Sequence, residues 1–232
     1  MEHRVQIYKA DFRGRVESEV FRRYATFNFD EYQEPSRGPL GGLLALNDET
    51  LGAGNTIFRH LDAHTSVLVL PLVGGLIFRD SFGHEDTIGT EQIGIFSGGQ
   101  GNAYQLTNPY KNDLVNYLQI WFKTDKTKTG FSQRSFELDV RNNLVPIFGD
   151  KPMLQPNSLG FIGLYDGRQE GTYTLKNRKN GLFVFVINGA FEFDNRLIET
   201  RDGLSIVGAQ TVEFEALSAN AMLLLIEVPL CA

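Results

Sequence analysis

One cysteine, Cys231, stands in a chain of 232 residues. A disulfide framework within the chain is excluded, and so is a cysteine-based zinc site. Long apolar runs are missing as well. No stretch approaches the roughly 20 residues that a membrane-spanning helix needs. The opening MEHRVQIYKADF has no apolar signal-peptide core. These absences point to a reducing, cytoplasmic setting with no membrane contact. Positive charge is scarce too: 22 Lys and Arg against 28 Asp and Glu leave a formal net charge of −6. Sequence-independent nucleic-acid binding needs clustered cations to neutralise phosphates. The densest basic cluster along the chain, Lys176, Arg178 and Lys179, reads as a solvated turn, so direct nucleic-acid binding is not expected. A G-x-S-x-G nucleophile elbow is absent. The Gly-rich run Gly98-Gly99-Gln100-Gly101 opens no helix, so it reads as a barrel corner rather than a phosphate cradle.

What the chain does have is β-type residues. Hydrophobic residues make up 42%, enough for a packed core, and there are 24 Gly and 18 Phe. Short alternating runs separated by Gly, Asn and Asp turns predict an all-β sandwich or barrel. Strands are expected over 5–8, 22–32, 40–47, 56–59, 67–73, 76–80, 92–96 and 117–123. A turn is expected over 48–54. A second set covers 159–165, 171–175, 181–188, 191–193, 196–199, 204–207, 211–214 and 222–229. The polar stretch 125–130, DKTKTG, is the best linker. On either side of it an apolar strand runs into a glycine, then a short strand and a polar turn, so Val67–Gly74 matches Leu182–Gly189. This suggests an internal duplication, with one domain over 1–127 and a second over 128–232.

The stretch 55–108 carries the candidate chemistry. Residues two apart share a face of a strand, so His60, Asp62 and His64 project to one side if this segment is extended. Two imidazoles and a carboxylate resemble, in ligand type, a non-haem iron triad. The outer two, however, lie roughly 13 Å apart at Cα on one strand, too far to converge easily. His3 in the terminal arm and His84 at a hairpin tip read as solvated.

Several separated segments resemble the pirin family: ATFNFDEYQEP, GGLLALNDETLGAGNTIF, His60-x-Asp62, GGLIFRDSFG, LQIWFK, RDGLSIVGA and LLLIEVPL. They occur in the family's order and span nearly the whole chain. The resemblance implies a bicupin, two β-barrel (double-stranded β-helix) domains in one chain. It also implies an iron site of two His from the first motif with a His and a Glu from the second. Those four positions fall on His60, Asp62, Tyr104 and Leu106, and leucine cannot be a ligand. The chain is in this respect similar to YhaK-type bacterial pirin-like proteins, which lack the usual ligands.

No metal cofactor is therefore expected; if iron does bind, its ligands are His60, Asp62 and His64. The remaining cavity has Phe58, His60, Asp62, Tyr104, Leu106 and Gln119 as its lining, the mixed apolar and polar character of a small-molecule pocket. A His60–Asp62–Tyr104 hydrogen-bonded cluster is the expectation there, since an unpaired buried carboxylate is costly. A filled core is the other reading of the same residues. Trp121 and Phe122 read as packing. Three functions stand beside one another: a binding, sensing or regulatory protein without metal, an iron-dependent dioxygenase of quercetin type, and a protein-interaction or transcription-cofactor module.

Overall fold

The computed structural model describes residues 2–124, 129–149 and 158–230. The expected linker lies largely outside them, as does Cys231. The strands of the first half are β1 Arg4–Tyr8, β2 Gly14–Glu17, β3 Phe21–Ala25, β4 Leu43–Leu51, β5 Thr56–His60 and β6 Thr65–Val73. They continue as β7 Leu76–Asp80, β8 Glu85–Ile88, β9 Gln92–Gly98, β10 Ala103–Thr107, β11 Val115–Lys123 and β12 Gly130–Ser135. The second half holds β13 Leu144–Phe148, β14 Leu159–Tyr165, β15 Glu170–Thr174, β16 Asn180–Asn188 and β17 Ala190–Phe193. It ends with β18 Arg196–Glu199, β19 Gly203–Val207, β20 Thr211–Ala216 and β21 Ala221–Pro229. Two single-turn helices, Ala10–Phe12 and Pro35–Arg37, are the only helical segments among the described residues. No helix in them is long and apolar enough to cross a membrane.

Four antiparallel sheets are formed. The first half builds β12-β9-β6-β11-β4-β3-β2 and β5-β10-β7-β8; the second builds β1-β19-β16-β21-β14-β13 and β15-β20-β17-β18. Laid side by side, the two halves share one order: β9, β6, β11, β4 and β3 correspond to β19, β16, β21, β14 and β13. The match between Val67–Gly74 and Leu182–Gly189 falls on β6 and β16. Both strands end at a glycine with positive φ, +75° at Gly74 and +81° at Gly189, a conformation L side chains rarely adopt.

Two strands lie across the expected 127/128 division. β1, from the start of the chain, pairs with β19 of the second half, Arg4 opposite Val207 through Tyr8 opposite Gly203. β12, just beyond the division, pairs with β9 of the first half, Gly130 opposite Ser97 through Ser135 opposite Gln92. Each half thus lends its first strand to the other's edge.

Three cores separate the four sheets. In the first half, Val67, Val69, Tyr117 and Trp121 of the larger sheet meet Phe78, Tyr104 and Leu106 of the smaller. In the second, Leu182, Val184 and Leu225 meet Phe191, Phe193 and Phe214. Between the two larger sheets, Leu68, Leu70, Leu118 and Ile120 pack against Phe183, Phe185, Leu224 and Ile226. The central strands of the larger sheets are therefore buried on both faces. That is why β6 and β16 read as continuous apolar runs instead of alternating. The expected double-stranded β-helix takes the form of two facing sheets in each half.

The expected turn over 48–54 is corrected. β4 continues to Leu51, with Asn47 and Glu49 fully buried and Asp48 nearly so. Polar composition marked a turn; tertiary pairing with β3 and β11 on either side holds these residues extended.

The central core couples the halves through an aromatic trio. Tyr8 and Phe27 lie 5.3 Å apart by ring centroid, and Phe27 and Phe183 4.9 Å. Phe183→Ala is expected to lower stability by about 3–5 kcal/mol while urea unfolding remains a single transition. Two separated transitions in the parent protein would show that the shared core does not couple the halves.

Candidate functional site

The pairing register decides where the predicted site residues point. Across β5 and β10, His60 stands opposite Ala103, Arg59 opposite Tyr104, Phe58 opposite Gln105 and Ile57 opposite Leu106. Tyr104 and Leu106 are fully buried, so the face they share with Arg59 and Ile57 is the interior one. Phe58 and His60 occupy the other face, where both are exposed and their rings meet at 4.8 Å. The expectation that His60 and Phe58 line the cavity is thus corrected by one residue of strand phase.

The chain leaves the strand after His60, so the two-residue period does not reach Asp62 or His64. Asp62 is exposed, and His64 sits in a turn with φ +59°. The His60–Asp62–Tyr104 cluster does not form; the Tyr104 hydroxyl donates instead to Gln119 Oε1 at 2.6 Å. These residues do not fit the iron set that the resemblance implies. His60 and Asp62 face outward, Tyr104 and Leu106 inward, and no three His, Cys, Asp or Glu gather as a metal site among the described residues.

What the fold assembles inside the first half is a polar row. On the interior face of the larger sheet, Glu49 of β4 stands between Arg23 of β3 and Tyr117 of β11, and Asn47 stands opposite Gln119. Alternation along each strand puts Asn47 and Glu49, and Tyr117, Gln119 and Trp121, on this one face. Arg59 and Tyr104 meet them from the smaller sheet.

Gln119 organises the row. Its carbonyl Oε1 accepts from Tyr104 and, at 3.3 Å, from Trp121 Nε1. Its amide Nε2 donates to Glu49 Oε2 at 2.7 Å. The other carboxylate oxygen, Glu49 Oε1, has no hydrogen-bond partner and lies 4.0 Å from Arg59 Nη2. Arg23 Nη2 lies 2.8 Å from Asp30 Oδ2, and Arg59 Nη1 donates to the same oxygen at 3.3 Å. Both guanidinium groups lie over the Phe29 ring, which packs edge-on against Trp121 at 5.4 Å. A line of charge therefore runs from half-exposed Asp30 through the two arginines to Glu49.

Six buried polar atoms in this row lack partners: Arg23 Nη1, Asn47 Oδ1 and Nδ2, Glu49 Oε1, Arg59 Nε and the Tyr117 hydroxyl. Buried polar groups are nearly always hydrogen-bonded, and each exception needs an explanation. Burial pushes the Glu49 carboxyl above its ordinary value, while the Arg59 guanidinium and the neighbouring Tyr117 pull the other way. Burial, with the Glu49 carboxylate second, holds the Tyr104 and Tyr117 hydroxyls well above theirs. Both phenols stay protonated, and that of Tyr104 donates to Gln119. Chemically, the row offers one proton-exchanging carboxyl with an unengaged oxygen, flanked by arginine, amide and phenol groups.

Glu49, Arg23, Arg59, Asn47 and Tyr117 were not singled out in the sequence. The signal available was the two-residue spacing of Asn47 and Glu49 and of Tyr117, Gln119 and Trp121 in segments that pair.

A carboxyl with a raised folded pKa binds its proton more tightly folded than unfolded. That stabilisation is fully present below the unfolded value of about 4.3 and is lost as pH rises through the folded one. Thermal melts across this window should show stability declining with pH, and Glu49→Gln should flatten the decline. An unchanged slope in the variant would assign the titration to another group.

The comparisons with known proteins agree with this architecture. Residues 160–228 match the Quercetinase C-terminal cupin domain. The chain is 24% identical over 226 residues to a quercetin 2,3-dioxygenase of Escherichia coli (strain K12), covering 95% of this chain and 97% of that relative. The structure of the bacterial pirin YhhW from Escherichia coli, in complex with nickel(II), superposes with a TM-score of 0.84 at 18% identity, covering 97% of this chain and 99% of that one. The protein YhaK from Escherichia coli superposes with a TM-score of 0.70 at 21% identity, covering 89% and 93%. The shared fold, the matched cupin domain and the ordered motifs make this chain similar to the bacterial pirins, with the bicupin fold in common.

Proposed function

We propose that this bicupin binds a small molecule without a resident metal, and that its first half engages the ligand at the polar row around Glu49. The observation that carries this reading is the set of six buried polar atoms without a hydrogen-bond partner on the strands around Glu49. Together they present donors (Arg23, Arg59, Asn47, Tyr117) and acceptors (Glu49, Asn47) to a compact polar or planar guest. Tyr104 and Trp121 hold Gln119 so that its amide is committed to Glu49. The carboxylate is thereby oriented with its second oxygen toward the guest. A sensing or regulatory role follows from binding without turnover.

A second reading is an iron-dependent dioxygenase acting on a flavonol, favoured by the quercetin 2,3-dioxygenase name of the relative from Escherichia coli (strain K12). It requires a ligand set other than His60, Asp62, Tyr104 and Leu106, since these lie on opposite faces of the smaller sheet or beyond its edge.

Trp121 is the only tryptophan, so its fluorescence reports on this row directly. Saturable quenching by quercetin, with no oxygen uptake, is the expected result. Tyr104→Phe should weaken that binding by about 1 kcal/mol through loss of one hydrogen bond to Gln119. Stoichiometric iron in protein purified without chelator, accompanied by oxygen uptake with quercetin, would establish the dioxygenase instead.

A further inference from the structure

The opposite face of β4 leads to a second, separate site. Asp48 points away from Glu49, toward the second half. There a cleft of about 660 Å³ opens between the halves, with Arg13, Arg15, Arg22, Tyr24 and Asp48 on one side and Arg201 on the other. Four guanidinium groups face two lining carboxylates, Asp11 and Asp48, in a chain whose net charge is −6.

Arg13 and Arg201 are held in place. Asp48 and Arg13 are nearly buried at their side chains, and Arg13 Nη1 donates to Asp48 Oδ2 at 3.2 Å. Asn116 Nδ2 donates to Asp48 Oδ1 at 2.8 Å, and Arg201 Nη2 donates to Asn116 Oδ1 at 3.2 Å. Asp48 is thus engaged by its own neighbours and leaves the remaining positive charge unbalanced. Arg201 Nη1 is buried without a hydrogen-bond acceptor, 3.6 Å from Asp48 Oδ1. Arg15 pairs with Glu17; Arg22 has no ion pair among the described residues.

Three like charges crowd one ring: the guanidinium carbons of Arg13, Arg22 and Arg15 lie 4.8, 5.6 and 6.0 Å from the Tyr24 centroid. Asp48 offsets the charge of Arg13 and Glu17 that of Arg15, while Arg22 keeps no such partner among the described residues, and guanidinium forks match the oxygens of phosphate and carboxylate. Two exposed apolar side chains, Val73 and Leu114, complete the lining. They suit an apolar body attached to the charged group.

We propose that this cleft binds a small organic anion, a phosphate or carboxylate group carried on an apolar body, between the two halves of the bicupin. The site is distinct from the row around Glu49, which faces the other side of the same sheet.

Isothermal titration of the whole protein with phenyl phosphate, benzoate and inorganic phosphate tests the inference. Saturable one-site binding is expected, tighter for phenyl phosphate than for inorganic phosphate and weakened by added salt. The double variant Arg22→Gln/Arg201→Gln should bind roughly tenfold more weakly or worse, the loss of one or more charge-assisted hydrogen bonds. Arg168→Gln, far exposed and paired with Glu215 in the second half, should bind as the parent does. Where the double variant melts early, Arg22→Gln alone carries the test, because Arg22 bridges nothing. Absence of saturable binding of phenyl phosphate and benzoate overturns the site. So does binding that survives removal of these arginines. Equal affinity for inorganic and phenyl phosphate overturns the apolar part of the ligand.

Discussion

Val67 and Val69 of β6 point one way, Leu68 and Leu70 the other, and all four are buried. The same holds for Leu182, Val184 and Phe183, Phe185 on β16. This two-sided burial of the larger sheets is the constraint from which the rest of the molecule follows. It stacks the four sheets, and it welds the halves through the core between β6, β11, β16 and β21. It also leaves no solvent for polar side chains in the middle of those strands; only at the ends are Lys123 and Asn188 exposed. Each such group must find a partner inside the protein, at a cost of about 1–3 kcal/mol where it does not. A polar residue retained there marks a place where something other than packing is at work.

Two buried glutamates meet that constraint differently. Glu227 of β21 receives four hydrogen bonds: Tyr173 hydroxyl at 2.6 Å, Lys176 N at 3.0 Å, Asn177 N at 3.1 Å and Asn180 Nδ2 at 2.7 Å. It ties the turn before β16 to the sheet and is fully satisfied. Glu49 of β4 receives one, from Gln119, and keeps an oxygen free. The second half thus uses its carboxylate as a structural clamp, while the first half keeps its carboxylate open among arginine and phenol groups. The two stand on non-equivalent strands of the shared order, Glu227 on β21, which corresponds to β11, and Glu49 on β4, which corresponds to β14.

β4 joins the two proposed sites through strand alternation. Glu49 faces the interior of the first half, and its neighbour Asp48 faces the cleft between halves. Asn116 touches both, donating to Asp48 Oδ1 and to the backbone oxygen of Glu49 at 2.9 Å. An anion that redraws the contacts of Arg13, Arg201 and Asn116 acts on the strand that carries Glu49.

The all-β class, most strands and the repeat were legible in the chain, and the family resemblance implied the bicupin architecture. Those depend on local signals: glycines at left-handed turns, apolar runs of strand length, and motifs in a set order. Leu76–Asp80, Leu159–Tyr165 and Arg196–Glu199 were legible to the residue. The sites were not. His60 looked like a cavity residue because strand phase is set by pairing with β10, distant in the chain, and Asp62 because the strand was taken to run past His60, where it ends. Asn47, Asp48 and Glu49 read as a turn because local polarity favours one; flanking β3 and β11 hold them extended and buried. The densest linear basic cluster is Lys176, Arg178 and Lys179, while Arg13 and Arg22 meet through the β2–β3 hairpin and Arg201 joins them from the second half. Tertiary structure decided each of these, because strand phase, burial and charge convergence are set by partners distant in the chain, and no local pattern encodes them.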